Sequence, residues 1–63
     1  MIQSELVTGC GFTKEESITW AVTKINTIIE LKRIEKCDII EYKTTTEFSC
    51  NKWETTIILT LWK

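Results

Sequence analysis

The sequence contains no histidine and no proline, and its only two glycines flank Cys10. The missing histidine removes the commonest general base, the commonest metal ligand and the side chain that titrates nearest neutral pH. It also excludes zinc sites that mix cysteine and histidine. Cys10, Cys37 and Cys50 are odd in number and form no CxxC pair, so neither a disulfide framework nor an all-cysteine zinc site, which takes four thiols, is expected. Asp38 is the only aspartate, and the glutamates are interspersed with lysines, as in a solvated surface. No apolar run approaches the ~18 residues of a membrane span, and no charged segment precedes an apolar one as in a secretory leader. Eight basic and nine acidic residues leave a net charge of −1 with no basic stripe, which argues against a nucleic-acid partner. These absences lead to the expectation of a cytoplasmic protein with reduced thiols, no metal and no membrane partner. Without histidine or a nucleophile motif no enzyme is expected, and no catalytic residue is assigned.

With no proline- or glycine-rich linker, residues 1–63 read as a single small domain. A chain of this length buries only about 60% of the surface its unfolded form exposes. Disulfides and metals being poorly supported, oligomerisation is the favoured means of stabilising it.

The present residues specify a β-α-β-β order. Ile2 to Thr8 can form a short strand, with Ile2 and Leu6 on one face and Gln3, Glu5 and Val7 on the other. Gly9-Cys10-Gly11 is expected to break it and allow a sharp turn. From Thr13 to about Ile34 the chain predicts a long amphipathic helix, with Ile18, Ala21, Val22, Ile25, Ile28 and Ile29 on one face. Thr13 and Glu16 fit a capping box, and Glu15 and Glu16 suit the positive end of the helix dipole. Lys32, Arg33 and Lys36 suit the other end, where no Gly or Asn marks the stop; it falls within Leu31 to Lys36. Ile34 and Cys37 are expected to turn inward.

Asp38 to Phe48 and Trp53 to Lys63 are rich in Ile, Thr and aromatic residues, and predict two long strands of a hairpin. A loop at 49–52 pairs Phe48 with Trp53, Tyr42 with Leu59 and Ile40 with Leu61, and sets Glu47 opposite Glu54. A loop at 48–51 instead sets Glu47 against Lys52 and leaves Phe48 in the turn. Under either register Leu6, Ile40, Tyr42, Leu59 and Leu61 form the sheet side of the core, against the helix stripe. The fold class is therefore α+β, an antiparallel sheet packed on one long helix.

Apolar residues remain on both outer sides. Trp20 and Leu31, about three turns apart, project away from the helix stripe. Ile39, Ile58 and Trp62 lie on the far side of the hairpin, among Thr45, Thr56 and Thr60. Tryptophans can serve as core, as stacking platforms for a flat ligand, or as interface anchors. Trp53 is assigned to packing. Trp20, Leu31, Ile39, Ile58 and Trp62 are assigned to an interface between copies or with another protein. Cys10, ahead of a helix N-terminus, could hold an activated thiol or an anion, but with no base nearby it reads better as a turn residue.

Glu15-Glu16-Ser17-Ile18-Thr19-Trp20-Ala21-Val22 resembles the start of the helix in the dodecins, small flavin-storing proteins that assemble into hollow dodecamers. The likeness continues through Leu31 and Asp38-Ile39-Ile40-Glu41 and covers nearly the whole chain. It implies the same β-α-β-β topology, an oligomer, and storage of a flavin or another flat ligand as an alternative function. Dodecins stack the flavin on a Trp at the helix-to-strand junction; Lys36 or Cys37 occupies that place here. Ile57-Ile58-Leu59 and Leu61-Trp62-Lys63 are similar to the last strand of short proteins from bacterial sporulation sets and phage genomes. The leading expectation is a non-catalytic, oligomeric binding module acting through its apolar faces, with a phage or mobile-element origin.

Overall fold

A computed structural model of the chain describes residues 1–62. Strand β1 (Ile2–Gly11) leads into helix α1 (Lys14–Leu31), and a single 3-10 turn at Lys36–Asp38 leads into strands β2 (Ile39–Ser49) and β3 (Lys52–Trp62). The three strands form one antiparallel sheet in the order β1-β3-β2, so the last strand is central and the other two are edges. This is the expected α+β architecture.

The first strand does not stop at Thr8. It pairs with β3 through Gly11, and neither glycine has a positive φ. Gly9 supplies space instead of a turn. A Cβ placed there would lie 2.4 Å from the backbone nitrogen of Ala21 and 2.6 Å from the carbonyl oxygen of Ser17. The backbone of α1 therefore rests directly on β1, and the small residues Ser17 and Ala21, one turn apart, form the contact. Strand side chains alternate between faces, so the seat at Gly9 turns Glu5 and Val7 toward the helix. Leu6, expected in the core, faces the opposite way and is 63% exposed, while Val7 is buried.

Val7, Ala21, Ile25, Ile34, Ile57, Leu59 and Leu61 form the core, with Val22, Ile28, Ile29 and Ile39 packed against it. Among the expected helix stripe, Ala21 and Ile25 are fully buried and Ile18 is half-buried. The helix lies over β1 and β3 and reaches β2 little. Tyr42 pairs with Leu59 as expected, but for want of helix above it remains 47% exposed. A bulge between Ile39 and Glu41 sets Ile39, not Ile40, opposite Leu61. Ile39 thus turns to the helix side and joins the margin of the core, and Ile40 is left exposed. A bulge adds one residue to one strand and reverses the faces beyond it, which corrects both positions.

The helix begins as a half-formed capping box, the amide of Glu16 donating to Thr13 Oγ1 at 3.1 Å. It ends without glycine. Arg33 adopts φ 53, the amide of Arg33 donates to the Glu30 carbonyl, and that of Ile34 donates to the Ile29 carbonyl at 2.9 Å. These two bonds make a Schellman ending, and they carry Ile34 into the core as expected. Cys37, expected to follow it, is exposed.

The hairpin takes the first of the two registers, but its loop is two residues and not the four expected at 49–52: Ser49 pairs with Lys52, Phe48 with Trp53, and Glu47 with Glu54. Cys50 and Asn51 both have positive φ, 54 and 63, the geometry of a two-residue type I′ turn. Phe48 and Trp53 meet with ring centroids 5.2 Å apart, which gives Trp53 the packing role assigned to it.

Two measurements test this account. Gly9→Ala should cost 3 kcal/mol or more, since the neighbouring atoms are helix backbone that cannot shift alone. Overpacking in general costs about 1–3 kcal/mol. At Gly11 an added Cβ would lie 2.8 Å from Glu16 Cβ and Cγ, side-chain atoms and not helix backbone, so Gly11→Ala should also destabilise but by less than Gly9→Ala. Equal melting temperatures for the two variants would refute the seat at Gly9. In the turn, Asn51→Gly should stabilise the protein by up to ~1 kcal/mol, because glycine adopts positive φ without steric cost; a lower denaturant midpoint would contradict the turn geometry.

Candidate functional site

Side chains capable of chemistry are few and dispersed. Among the described residues, Ser17 and Thr55 are the buried polar side chains, and they lie under the helix. Ser17 Oγ donates to the Lys14 carbonyl at 2.7 Å and lies 2.8 Å from Thr55 Oγ1, which in turn lies 3.2 Å from Thr46 Oγ1. A hydroxyl has one proton. Ser17 uses its own on Lys14, so Thr55 must donate to Ser17 and Thr46 to Thr55. This directed chain satisfies each of these hydroxyls, and among the described residues none of its hydrogen-bonding side chains is titratable. Its role is to join helix and sheet at the same level as Gly9, which pairs with Thr55.

The cysteines are exposed and separate. Cys10 is part of β1 and not a turn residue; it sits opposite Glu54, with its sulfur 4.0 Å from a Glu54 carboxylate oxygen. It belongs to the sheet face away from the helix. Cys37 is held above the ordinary thiol pKa, first by the negative charge of Asp38 and then by its hydrogen bond to Glu35, whose carboxylate accepts at 3.6 Å. Among the described residues no three His, Cys, Asp or Glu side chains are grouped to hold a metal, no enclosed cleft is formed, and no helix is long and apolar enough to cross a membrane.

What the fold does assemble is apolar surface. On the sheet face away from the helix, Ile2 lies directly opposite Trp62 and Leu6 directly opposite Ile58. Ser4 and Thr60 lie between the two pairs, and Thr8 and Thr56 lie beyond Leu6 and Ile58. Trp62 is 60% exposed and Ile2 61%. Two of the residues assigned to an interface, Ile58 and Trp62, are thus brought into one patch. Ile2 and Leu6 complete it and were missed. Their signal was present in the small residues Gly9, Ser17 and Ala21, which mark where a helix can approach a strand and so which strand face turns inward.

Trp20 and Leu31 form a separate strip on the helix. Lys24, one turn beyond Trp20, donates from Nζ to the Thr8 carbonyl at 2.6 Å, and Lys32, next to Leu31, pairs with Glu5. The strip therefore runs along the β1 side of the helix, with Leu31 at 77% exposure. The sheet divides it from the Ile58–Trp62 patch. Ile39 belongs to neither surface. Comparison with protein-family models, curated proteins and solved structures finds no match for this chain.

The thiol environment has a measurable consequence. A raised pKa keeps Cys37 protonated as pH rises past the ordinary thiol value, and only the thiolate is nucleophilic. Alkylation of Cys37 by iodoacetamide, followed by peptide mass spectrometry, should reach its half-maximal rate at a higher pH than in an unstructured cysteine peptide. Asp38→Asn should move that midpoint downward, because it removes the largest cause of the shift. An unchanged midpoint in the variant would exclude Asp38 as that cause.

Proposed function

We propose that this protein is a non-catalytic, self-associating interaction module that works by docking its apolar sheet face. The observation that supports this reading is the patch of Ile2, Leu6, Ile58 and Trp62, four large apolar side chains in register on two adjacent strands and open to solvent. Exposed apolar groups gathered on one face favour a partner surface, and an exposed tryptophan such as Trp62, backed by Ile2 on the neighbouring strand, is a common anchor of a protein interface. Threonines between the apolar positions can hydrogen-bond at the margin without the desolvation cost of burying a charge. The Trp20–Leu31 strip offers a second contact on the other side of the molecule, so that each copy can engage more than one neighbour.

Light scattering after size exclusion, across micromolar concentrations, should give a mass of at least two chains. Trp62→Ala should weaken the assembly by about 2 kcal/mol or more, roughly thirtyfold in dissociation constant, as for a buried tryptophan anchor, while circular dichroism stays unchanged. A monomeric wild type would end this reading. Titration with riboflavin should leave tryptophan fluorescence unquenched; stoichiometric quenching would replace the interaction module with a store for a flat ligand.

A further inference from the structure

The two edges of the sheet are not equivalent. Over β1 lies the helix, whose Lys24 occupies the Thr8 carbonyl and whose Lys32 pairs with Glu5. The helix reaches β2 little, so among the described residues that edge lacks this cover. Open edges invite pairing with another strand, and proteins usually guard them with proline, a bulge or a covering element. β2 contains no proline, and its bulge lies at one end, between Ile39 and Glu41, so Glu41 to Ser49 runs as regular strand with Thr45 at its centre.

The turn fixes which groups of β2 point outward. In a two-residue hairpin the residues flanking the turn, here Ser49 and Lys52, exchange both hydrogen bonds, and bonded pairs then alternate with non-bonded ones. Glu47, Thr45 and Lys43 accordingly direct their backbone groups toward β3. Phe48, Thr46, Thr44 and Tyr42 direct theirs away from it, to the open edge.

We infer that two copies of this chain join through β2, antiparallel about a twofold axis at Thr45, into one continuous sheet with both helices on the same face. This proposal rests on the self-association reading and names one of its contacts. In this register the outward backbone groups meet each other, Thr44 against Thr46 and Tyr42 against Phe48 of the second copy. Lys43 stands opposite Glu47 of the second copy, and the axis repeats the pair. Both fall at non-bonded positions, where side chains stand closest. Within one chain Glu47 faces Glu54, a like charge; the second copy would give it a lysine on its other side. Tyr42 and Phe48, 47% and 59% exposed, would cover each other on the helix side.

Other registers lose these features. A slip of one residue sets outward groups against inward ones and leaves no ladder. A shift of two sets Glu41 against Glu47 in one direction and Lys43 against Ser49 in the other. Charge complementarity and hydrogen-bond parity thus select the same alignment, over the whole regular length of the strand.

Charge reversal tests it. Lys43→Glu and Glu47→Lys each place like charges opposite one another twice, and each alone should raise the dissociation constant of this contact at least about tenfold, reducing the mass seen by light scattering. Mixed in equal amounts, the two variants should recover the wild-type mass, because every Glu then meets a Lys across the axis. Recovery also shows that both variants are folded. In a background of Cys10→Ser, Cys37→Ser and Cys50→Ser, Thr45→Cys should oxidise to a disulfide-linked pair, since residues facing each other at a non-bonded position have Cα atoms ~4.5 Å apart, within disulfide range. A wild-type assembly unaffected by either reversal, or single variants that fail to recover on mixing, or Thr45→Cys that stays unlinked, would overturn the β2 contact and leave self-association through the other faces standing. A wild-type monomer would instead refute the self-association reading itself.

Discussion

The contact between the helix backbone and Gly9 decides most of what surrounds it. With any side chain at that position the helix would have to lift off the sheet, because a Cβ there would fall well inside van der Waals distance of Ala21 and Ser17. Seating the helix so low allows Ser17 to reach Thr55 at 2.8 Å and brings Ala21 and Ile25 to complete burial. It also fixes strand parity. Gly9 and Val7 face inward, Leu6 and Thr8 outward, and the pairing of Gly9 with Thr55 carries the same choice into β3, where Ile57, Leu59 and Leu61 are buried.

A helix seated on β1 cannot also cover β2. It lies over one edge and the centre of the sheet, and the other edge keeps Tyr42 and Phe48 only partly covered although they point to the helix side. The asymmetry follows from the chain. Ser17 and Ala21 hold the helix at Gly9, and Lys24 and Lys32 tie it further to β1. In so small a molecule one helix leaves part of its sheet uncovered wherever it sits, and here the close contact chooses which part.

Element type and order were legible in the sequence because the signals were long-range periodicities: a 3.6-residue apolar repeat across α1 and Ile- and Thr-rich runs in β2 and β3. The hairpin register stayed open between two alignments, because both keep the same face apolar; the structure takes the one that pairs Phe48 with Trp53 and Tyr42 with Leu59. The errors came where one residue overrides a pattern. Gly9 was read as backbone freedom when it supplies space, and Leu6 was consequently placed in the core. The bulge at Ile39 and Glu41 changed the facing of Ile39 and Ile40 with no Gly to announce it. Arg33 ends the helix at positive φ, a place where glycine would have been the visible marker. For the candidate interface, Trp20, Leu31, Ile58 and Trp62 were identifiable as exposed apolar residues, but which of them share a surface depended on strand parity and so on the same glycine.

That dependence gives the exposed apolar patch a physical reason. Shifting β1 by one residue would turn Ile2 and Leu6 toward the helix, as side-chain alternation requires. It would also bring Thr8 or Cys10 under Ser17 and Ala21, where a Cβ has no room. The same slip would replace Val7 in the core and take Gly9 away from its partner Thr55. Exposure of Ile2 and Leu6 beside Trp62 and Ile58 is therefore tied to the tight seat of the helix, and the chain cannot remove it by internal rearrangement without losing that seat. A second surface from outside the chain could cover the patch and leave the seat intact, which is what the proposed association requires.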